Sequence, residues 1–283
     1  MTFAVVVISP PKYIHSRAFD EVAIGLNSSL RSLGHDSIIV RAESWTDLRT
    51  VGRRMIVLGA HLLGDLCLPR GTIIYNLEQI DSASAWLGPK VLGIYAQHEV
   101  WDYSERNASR YEAIGLKRPR VVPIGYAPEL TRIEAASDQP IDVLFYGSVN
   151  DRRRVILEGL DARLNLEVIF GVYGEERDRL IAQSKIVLNL HYYDAQVFEI
   201  VRVSYLLANR VCVVSEWSPK LKTDWLPPGV AFTPYARLVD RCVELVWDGA
   251  SRQSLAGAGF AAFSDRPQAT FVQAALDASG PNL

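Results

Sequence analysis

His191, Glu199 and Arg202, together with Gly147 and the pair Arg152 and Arg153, form the part of this chain best suited to do chemistry. A carboxylate such as Glu199 accepts hydrogen bonds from paired hydroxyls, a histidine changes charge near neutral pH, and an arginine offsets anionic charge. Gly147 opens the turn Gly147-Ser148-Val149-Asn150 and lets backbone approach a ligand closely; the helix start that follows supplies free N–H groups and partial positive charge. Three consecutive arginines, Arg152 to Arg154, cannot all face one ligand, so at least one lies on the surface. Ordinary readings compete with these: Glu199 as a helix-start acid, His191 as a strand-end histidine, and Arg202 as an intrahelical partner of Glu199.

The elements that must position these residues are legible as alternating apolar runs. Strands are predicted at Ile141 to Gly147, Leu166 to Phe170, Lys185 to Leu190 and Val211 to Ser215, with helix-like segments between them. Strand and helix in alternation predict a parallel sheet, and in such sheets ligands sit at the carboxyl ends of the strands. Those ends carry Gly147 to Asn150, Gly171 to Gly174 with Tyr173, His191 to Tyr193, and Glu216. Tyr173 can stack on a flat ligand or simply pack.

The stretch from His191 to Glu199, followed by a helix to Asn209 and the strand Val211 to Ser215, resembles the donor site of GT-B glycosyltransferases. In the large retaining group of that fold a Glu, seven residues and a second Glu lie around a helix start; here the positions hold His191 and Glu199. The match is closer to a divergent bacterial branch, group 1 or spore-maturation-like, in which Leu-Asn-Leu-His is followed by Phe-Glu and a helix. The run Val100-Trp101-Asp102-Tyr103-Ser104 with Asn107 resembles the same branch. The resemblance implies that Glu199 holds the ribose hydroxyls and that His191 faces the sugar or the phosphates. It implies further that the Gly147 turn approaches the diphosphate, with Arg152 or Arg153, and Arg202, meeting leaving-group charge without metal, and that Tyr173 lies near the base.

The first half repeats the α/β rhythm. Strands are predicted at Phe3 to Ile8, Ser37 to Arg41, Arg54 to Leu58, Thr72 to Tyr75, Val91 to Tyr95 and Arg120 to Ile124, with a helix over Ser16 to Leu33 and another over Glu105 to Ile114, for which Ser104 is the N-cap. The first strand-to-helix loop, Ser9 to Ser16, holds two prolines and no Gly-x-Gly-x-x-Gly, so nicotinamide chemistry is disfavoured and this half is assigned to the acceptor. His15 on that loop, and Glu78 and His98 in two polar clusters read as strand ends, are the candidate general bases. Helix capping, packing and solvated loop acids are the alternatives for them.

Composition bounds these readings. The 283 residues, 49% hydrophobic, suffice for two modest domains; a net charge of −2 speaks against a nucleic-acid partner. No apolar run approaches the length that spans a bilayer, which leaves a peripheral membrane contact open, and three scattered cysteines point to a reducing cytoplasm. The expectation is thus an α/β chain of two Rossmann-like domains facing each other across a cleft: an acceptor-side domain over 1–130 and a nucleotide-sugar-binding domain over 131–283, with the last helix a candidate to cross back. The function expected is metal-independent sugar transfer, in polysaccharide or glycoconjugate biosynthesis, from a nucleoside diphosphate sugar to a hydroxyl on a small-molecule, glycan or glycoconjugate acceptor, with no cofactor. A nucleotide-sugar epimerase of the same fold and a non-catalytic nucleotide-sugar-binding subunit are the rival readings.

Overall fold

The computed structural model describes residues 1–43, 47–48, 52–64, 67–80, 86–192, 197–219, 221 and 225–279. By internal packing the chain divides into two units, Met1–Glu129 with Pro267–Leu283, and Leu130–Arg266.

In the first unit the elements run β1 (Thr2–Ile8), α1 (Asp20–Ser32), β2 (Asp36–Ala42), β3 (Arg54–Leu58), β4 (Ile73–Asn76), α2 (Pro89–Gln97), β5 (Glu99–Asp102), α3 (Glu105–Ala108) and β6 (Arg120–Val121). The strands form one parallel sheet in the order β2-β1-β3-β4-β5-β6. Phe3 to Ile8 are buried on both faces, as a parallel strand covered by helices requires.

Three expectations need correction here. Val91 to Tyr95 is not a strand; it lies within α2, which starts with Pro89 in its first turn and buries Val91 and Tyr95, four residues apart, on one face. A short apolar run does not reveal its period, and here the helical one won. The strand is Glu99–Asp102 instead, so His98 sits at its amino end. The helix foreseen over Glu105 to Ile114 breaks into α3 and a separate 3-10 turn at Glu112–Ile114, although Ser104 does cap it, its hydroxyl accepting from the Asn107 N–H at 3.2 Å. Pro123, which has no N–H to give a ladder, lies just beyond β6.

The second unit contains β7 (Ile141–Tyr146), α4 (Asp151–Asp161), β8 (Leu166–Ile169), α5 (Glu175–Ala182), β9 (Ser184–Asn189), α6 (Ile200–Ala208), β10 (Val213–Trp217), β11 (Val230–Pro234), α7 (Leu238–Trp247) and α8 (Gly249–Ser264). Its parallel sheet has the order β11-β10-β9-β7-β8. Val143, Phe145, Ile186, Leu188 and Val214 pack against Ile156 and Leu160 of α4 and Leu238 and Leu245 of α7. Each such side chain contributes about 1.5–3 kcal/mol when fully buried. Glu216 lies inside β10 rather than after it, and β11 is a strand that the sequence pattern did not reveal.

The last helix, α9 (Gln268–Ser279), packs with the first unit. Gln268 secures it there: its amide oxygen accepts from the Gly125 N–H at 2.7 Å and its backbone N–H donates to the Tyr126 carbonyl at 2.8 Å. Among the described residues no helix is long and apolar enough to cross a membrane.

Both sheets reverse their direction of growth beside their first strand. In the first unit the reversal falls between β1 and β3, and in the second between β7 and β9. At such a point the connections leave on opposite faces of the sheet, opening a crevice at the carboxyl ends.

Gly229, just ahead of β11, has φ +90° and lies so close to α8 that a Cβ there would stand 2.2 Å from the Gly259 nitrogen and 2.4 Å from the Leu255 carbonyl oxygen. Gly229→Ala is therefore expected to destabilise the protein by more than ~3 kcal/mol, since backbone rather than a mobile side chain must move. Urea denaturation checks this; a loss under 1 kcal/mol, roughly, would show that α8 can shift away.

Candidate active site

The reversal between β7 and β9 brings the second unit's predicted residues together. Asn189 ends β9 fully buried, its Nδ2 donating to a Glu199 carboxylate oxygen at 3.0 Å and to Ser215 Oγ at 3.1 Å. Two residues on, His191 Nδ1 lies 3.1 Å from Glu199, and the His191 backbone N–H donates to Glu216 at 3.2 Å. Glu199 stands at the N-cap of α6 but makes no side-chain cap; its carboxylate turns to Asn189 and His191 instead. Burial alone would raise the Glu199 pKa, yet His191, Arg202 and Asn189 together hold it below the usual carboxylate range. Burial likewise opposes charge on His191, but Glu199 and Glu216 prevail and raise its pKa. The other ring nitrogen, Nε2, is buried and has no hydrogen-bond partner among the described residues.

The three arginines divide their work. Arg152 forms a fork with the buried carboxylate of Glu216 and lies over the Tyr235 ring at 4.2 Å. Arg153 is buried and bonded to carbonyls, donating to Ser148 at 2.7 Å, to His191 at 3.3 Å and to Leu190, so it ties the Gly147 turn to the β9 exit. Burial and the nearby Arg202 push it down to about 10, which leaves it cationic at neutral pH. Arg154 is the surface one, 59% exposed beside Asp151.

Arg202, from α6, donates to Asn189 Oδ1 at 3.3 Å and approaches Gly147 so closely that a Cβ there would meet its guanidinium at 3.0 Å. Gly147 has φ +143°, and the absence of a side chain makes room for that cation. Tyr173 is half-buried on a loop bent by positive φ at Gly171 and Gly174.

In the first unit the reversal between β1 and β3 places a second cluster. His15 lies on the loop after β1, its ring edge-on to Tyr13 at 5.5 Å. Glu78 follows β4, and His61, a residue that sequence reasoning passed over, follows β3. His61 Nε2 is 4.0 Å from the Glu78 carboxylate. His98 is not brought to this edge; it precedes β5, which runs parallel to β4, and so sits at the opposite end of the sheet.

The Glu78 backbone is held by a buried network. Asn76 and Asn107 both donate to its carbonyl, at 2.8 and 2.9 Å, and Asp102 accepts from Asn76, Asn107, Tyr111 and the Ser104 N–H at 2.8 to 3.0 Å. Burial pushes Asp102 up to about 7 against these donors. Burial also pushes Glu78 up to about 7 and His61 down to about 4, so the pair faces neutral pH with an uncharged imidazole.

No family model matches the chain. It is 29% identical over 191 residues to the uncharacterised protein L140 of Acanthamoeba polyphaga mimivirus, covering 62% of this chain and 59% of that one. It is 30% identical over 110 residues to R358 of the same virus, 37% and 39% of the two chains. The chain thus spans under two thirds of the length of these relatives. Among solved structures it is similar to an α-glucosyltransferase in complex with UDP-glucose and DNA containing an abasic site (TM-score 0.68, 9% identity, 98% of this chain and 99% of that one). It is also similar to Anabaena HepE in complex with UDP and glucose (0.62, 10%, 99% of each chain) and to WaaG, a glycosyltransferase of lipopolysaccharide biosynthesis (0.61, 9%, 100% of each). At these identities the likeness is one of fold, and the fold is GT-B.

The Glu78 shift has a consequence for stability. With a folded pKa near 7 against an ordinary 4.5, the carboxylate is easier to bury protonated, so its cost is absent below pH 4.5 and complete above about pH 7. Its side chain is 29% exposed, which moderates the effect. Glu78→Gln should raise stability by about 1–2 kcal/mol at pH 8 and change it little at pH 4, read by urea denaturation at both values. No gain at pH 8 would reveal a counter-charge that holds the carboxylate.

Proposed function

We propose that this chain is a glycosyltransferase that moves a sugar from a nucleoside diphosphate sugar to a hydroxyl-bearing acceptor, with the second unit holding the donor. One observation supports the reading: the β7 and β9 strand ends and the start of α6 bring Gly147, Asn189, His191, Glu199 and Arg202 together, with His191 Nε2 left without a hydrogen-bond partner among the described residues. Such a group matches a ligand with both anionic and hydroxyl oxygens. Glu199, held ionised and turned away from its own helix, supplies a carboxylate for the ribose hydroxyls. Arg202 and the amino end of α4, where the Asn150 side chain already accepts from the Arg153 N–H, supply positive charge for the diphosphate, while Arg152 and Arg153 shape the site through Glu216 and the loop carbonyls.

The first unit supplies the acceptor side in this reading, and its proton acceptor comes from His15 or Glu78, the two candidates at the ligand edge of its sheet. A net charge of −2 favours a glycan, glycoconjugate or small-molecule acceptor over nucleic acid. No cofactor is required.

Calorimetry with UDP, GDP, dTDP, ADP and CMP tests the donor assignment. One of them should bind, and Glu199→Ala should weaken it by about 1.5–3 kcal/mol, the contribution of a charged hydrogen bond. Unchanged affinity in the variant would remove the ribose role. Turnover should persist in EDTA, because arginine and helix N–H groups meet the leaving-group charge. Loss of activity restored by Mg²⁺ or Mn²⁺ would refute that part.

A further inference from the structure

β2 is an outer strand of the first sheet, bonded to β1 on one side. The Asp36 N–H donates to the Met1 carbonyl and the Ala42 carbonyl accepts from the Ser9 N–H, so Asp36, Ile38, Val40 and Ala42 turn their backbone groups inward to β1. In a parallel ladder the N–H and C=O of one residue point the same way, and successive residues alternate. Those of Ser37, Ile39 and Arg41 therefore point outward, where no strand pairs with them among the described residues. The side chains beside them are apolar: Ile38 and Ile39, on opposite faces of the strand, are 39% and 41% exposed. Charges that commonly guard an open strand are drawn back into their own chain, since Asp36 pairs with Arg53 at 2.7 Å, and Arg41 pairs with Asp20 and donates to Ser9 at 3.1 Å. The other outer strands are protected. β6 is two residues long, β8 is four residues long with Glu167 inside it, and Val230, Ala231 and Thr233 of β11 are buried.

We propose that β2 pairs antiparallel with β2 of a second copy of this chain, about a two-fold axis at Ile39. In hydrogen-bonded pairs the outward-facing residues must oppose one another. With Ile39 opposite Ile39 of the second copy, Ser37 stands opposite Arg41, Ile38 opposite Val40 and Asp36 opposite Ala42. Ile39 and its symmetry mate then exchange N–H···O bonds, as do Ser37 and Arg41. Isoleucine and valine meet their like on both faces, and no like charges stand opposite each other. A register one residue away would set outward groups against inward ones and lose the bonds, and a register two residues away shortens the overlap. The contact is isologous, so it closes at two copies and joins the two six-stranded sheets side by side. An extended segment of another protein would find the same backbone groups, but the match of this strand's apolar residues and charges to themselves selects a second copy.

Sedimentation velocity and light scattering on the intact protein, across a wide range of concentration, read the association. The mass should rise from one chain to two as concentration increases. Ile39→Lys, which sets two ammonium groups opposite each other at the axis, should hold it at one chain, while Ile39→Val should associate like the parent. Val155→Lys, at a 61% exposed apolar position of α4, controls for added charge and should also behave like the parent. Far-UV circular dichroism verifies that each variant is folded. Amide hydrogen exchange needs no variant: the Ser37, Ile39 and Arg41 N–H groups gain partners in the pair, so their exchange should slow at least ~10-fold between dilute and concentrated protein. A mass of one chain at every concentration, a dimer that survives Ile39→Lys, or exchange at those amides that ignores concentration would overturn the proposal.

Discussion

A parallel sheet that grows in both directions from its first strand must send two adjacent connections to opposite faces, and the residues of interest here collect where that happens. The reversal between β7 and β9 leaves the Gly147 turn and the β9 exit side by side, so Arg153 can bond the carbonyls of Ser148, Leu190 and His191 at once. The reversal between β1 and β3 likewise sets the segment after β1 near His61, where the Phe19 ring lies edge-on to the imidazole. Hydrogen-bonded strand order, rather than any local motif, thus decides which side chains share a site.

The two sheet edges treat their carboxylates in opposite ways. In the second unit Glu199 and Glu216 each face cations or N–H donors, and Glu199 stays ionised despite burial. In the first unit Glu78 is buried with no cation paired to it among the described residues, and its pKa rises toward neutrality. A carboxylate held ionised is suited to fixing a ligand, whereas one titrating near pH 7 is suited to exchanging a proton. Environment thus separates the two carboxylates in their protonation, although both are glutamates, Glu78 just after β4 and Glu199 at the N-cap of α6.

Much of this was legible in the sequence where the apolar runs were long. β1, β3, β7 and β9, the strands that define both reversals, stood out because each is buried on both faces and reads as a continuous apolar stretch. β5 did not, because Glu99-Val100-Trp101-Asp102 is four residues long with a charge at each end, and the helix before it carried the stronger apolar signal. That one displacement moved His98 from the ligand edge to the opposite one. The arginines stand out in the sequence as a group, but their separate contacts depend on Glu216, 64 residues from Arg152, and on carbonyls that have no sequence signature. His61 was missed for a similar reason: it lies in a plain Gly-Ala-His turn, and only the pairing of β3 with β4 brings it to Glu78.

The Asp102 network shows what holding a buried carboxylate of raised pKa requires. A fully buried aspartate with four donors is costly to desolvate, and Asp102 adds little to the apolar core around it. Its bonds instead fix the amides of Asn76 and Asn107, which in turn fix the Glu78 carbonyl, so the chain at residue 78 has little freedom. A loop that could relax would let Glu78 swing into water, where its pKa would fall back toward the ordinary value and its basicity would fall with it. The rigid polar network below the loop is thus the condition for the unusual protonation behaviour above it.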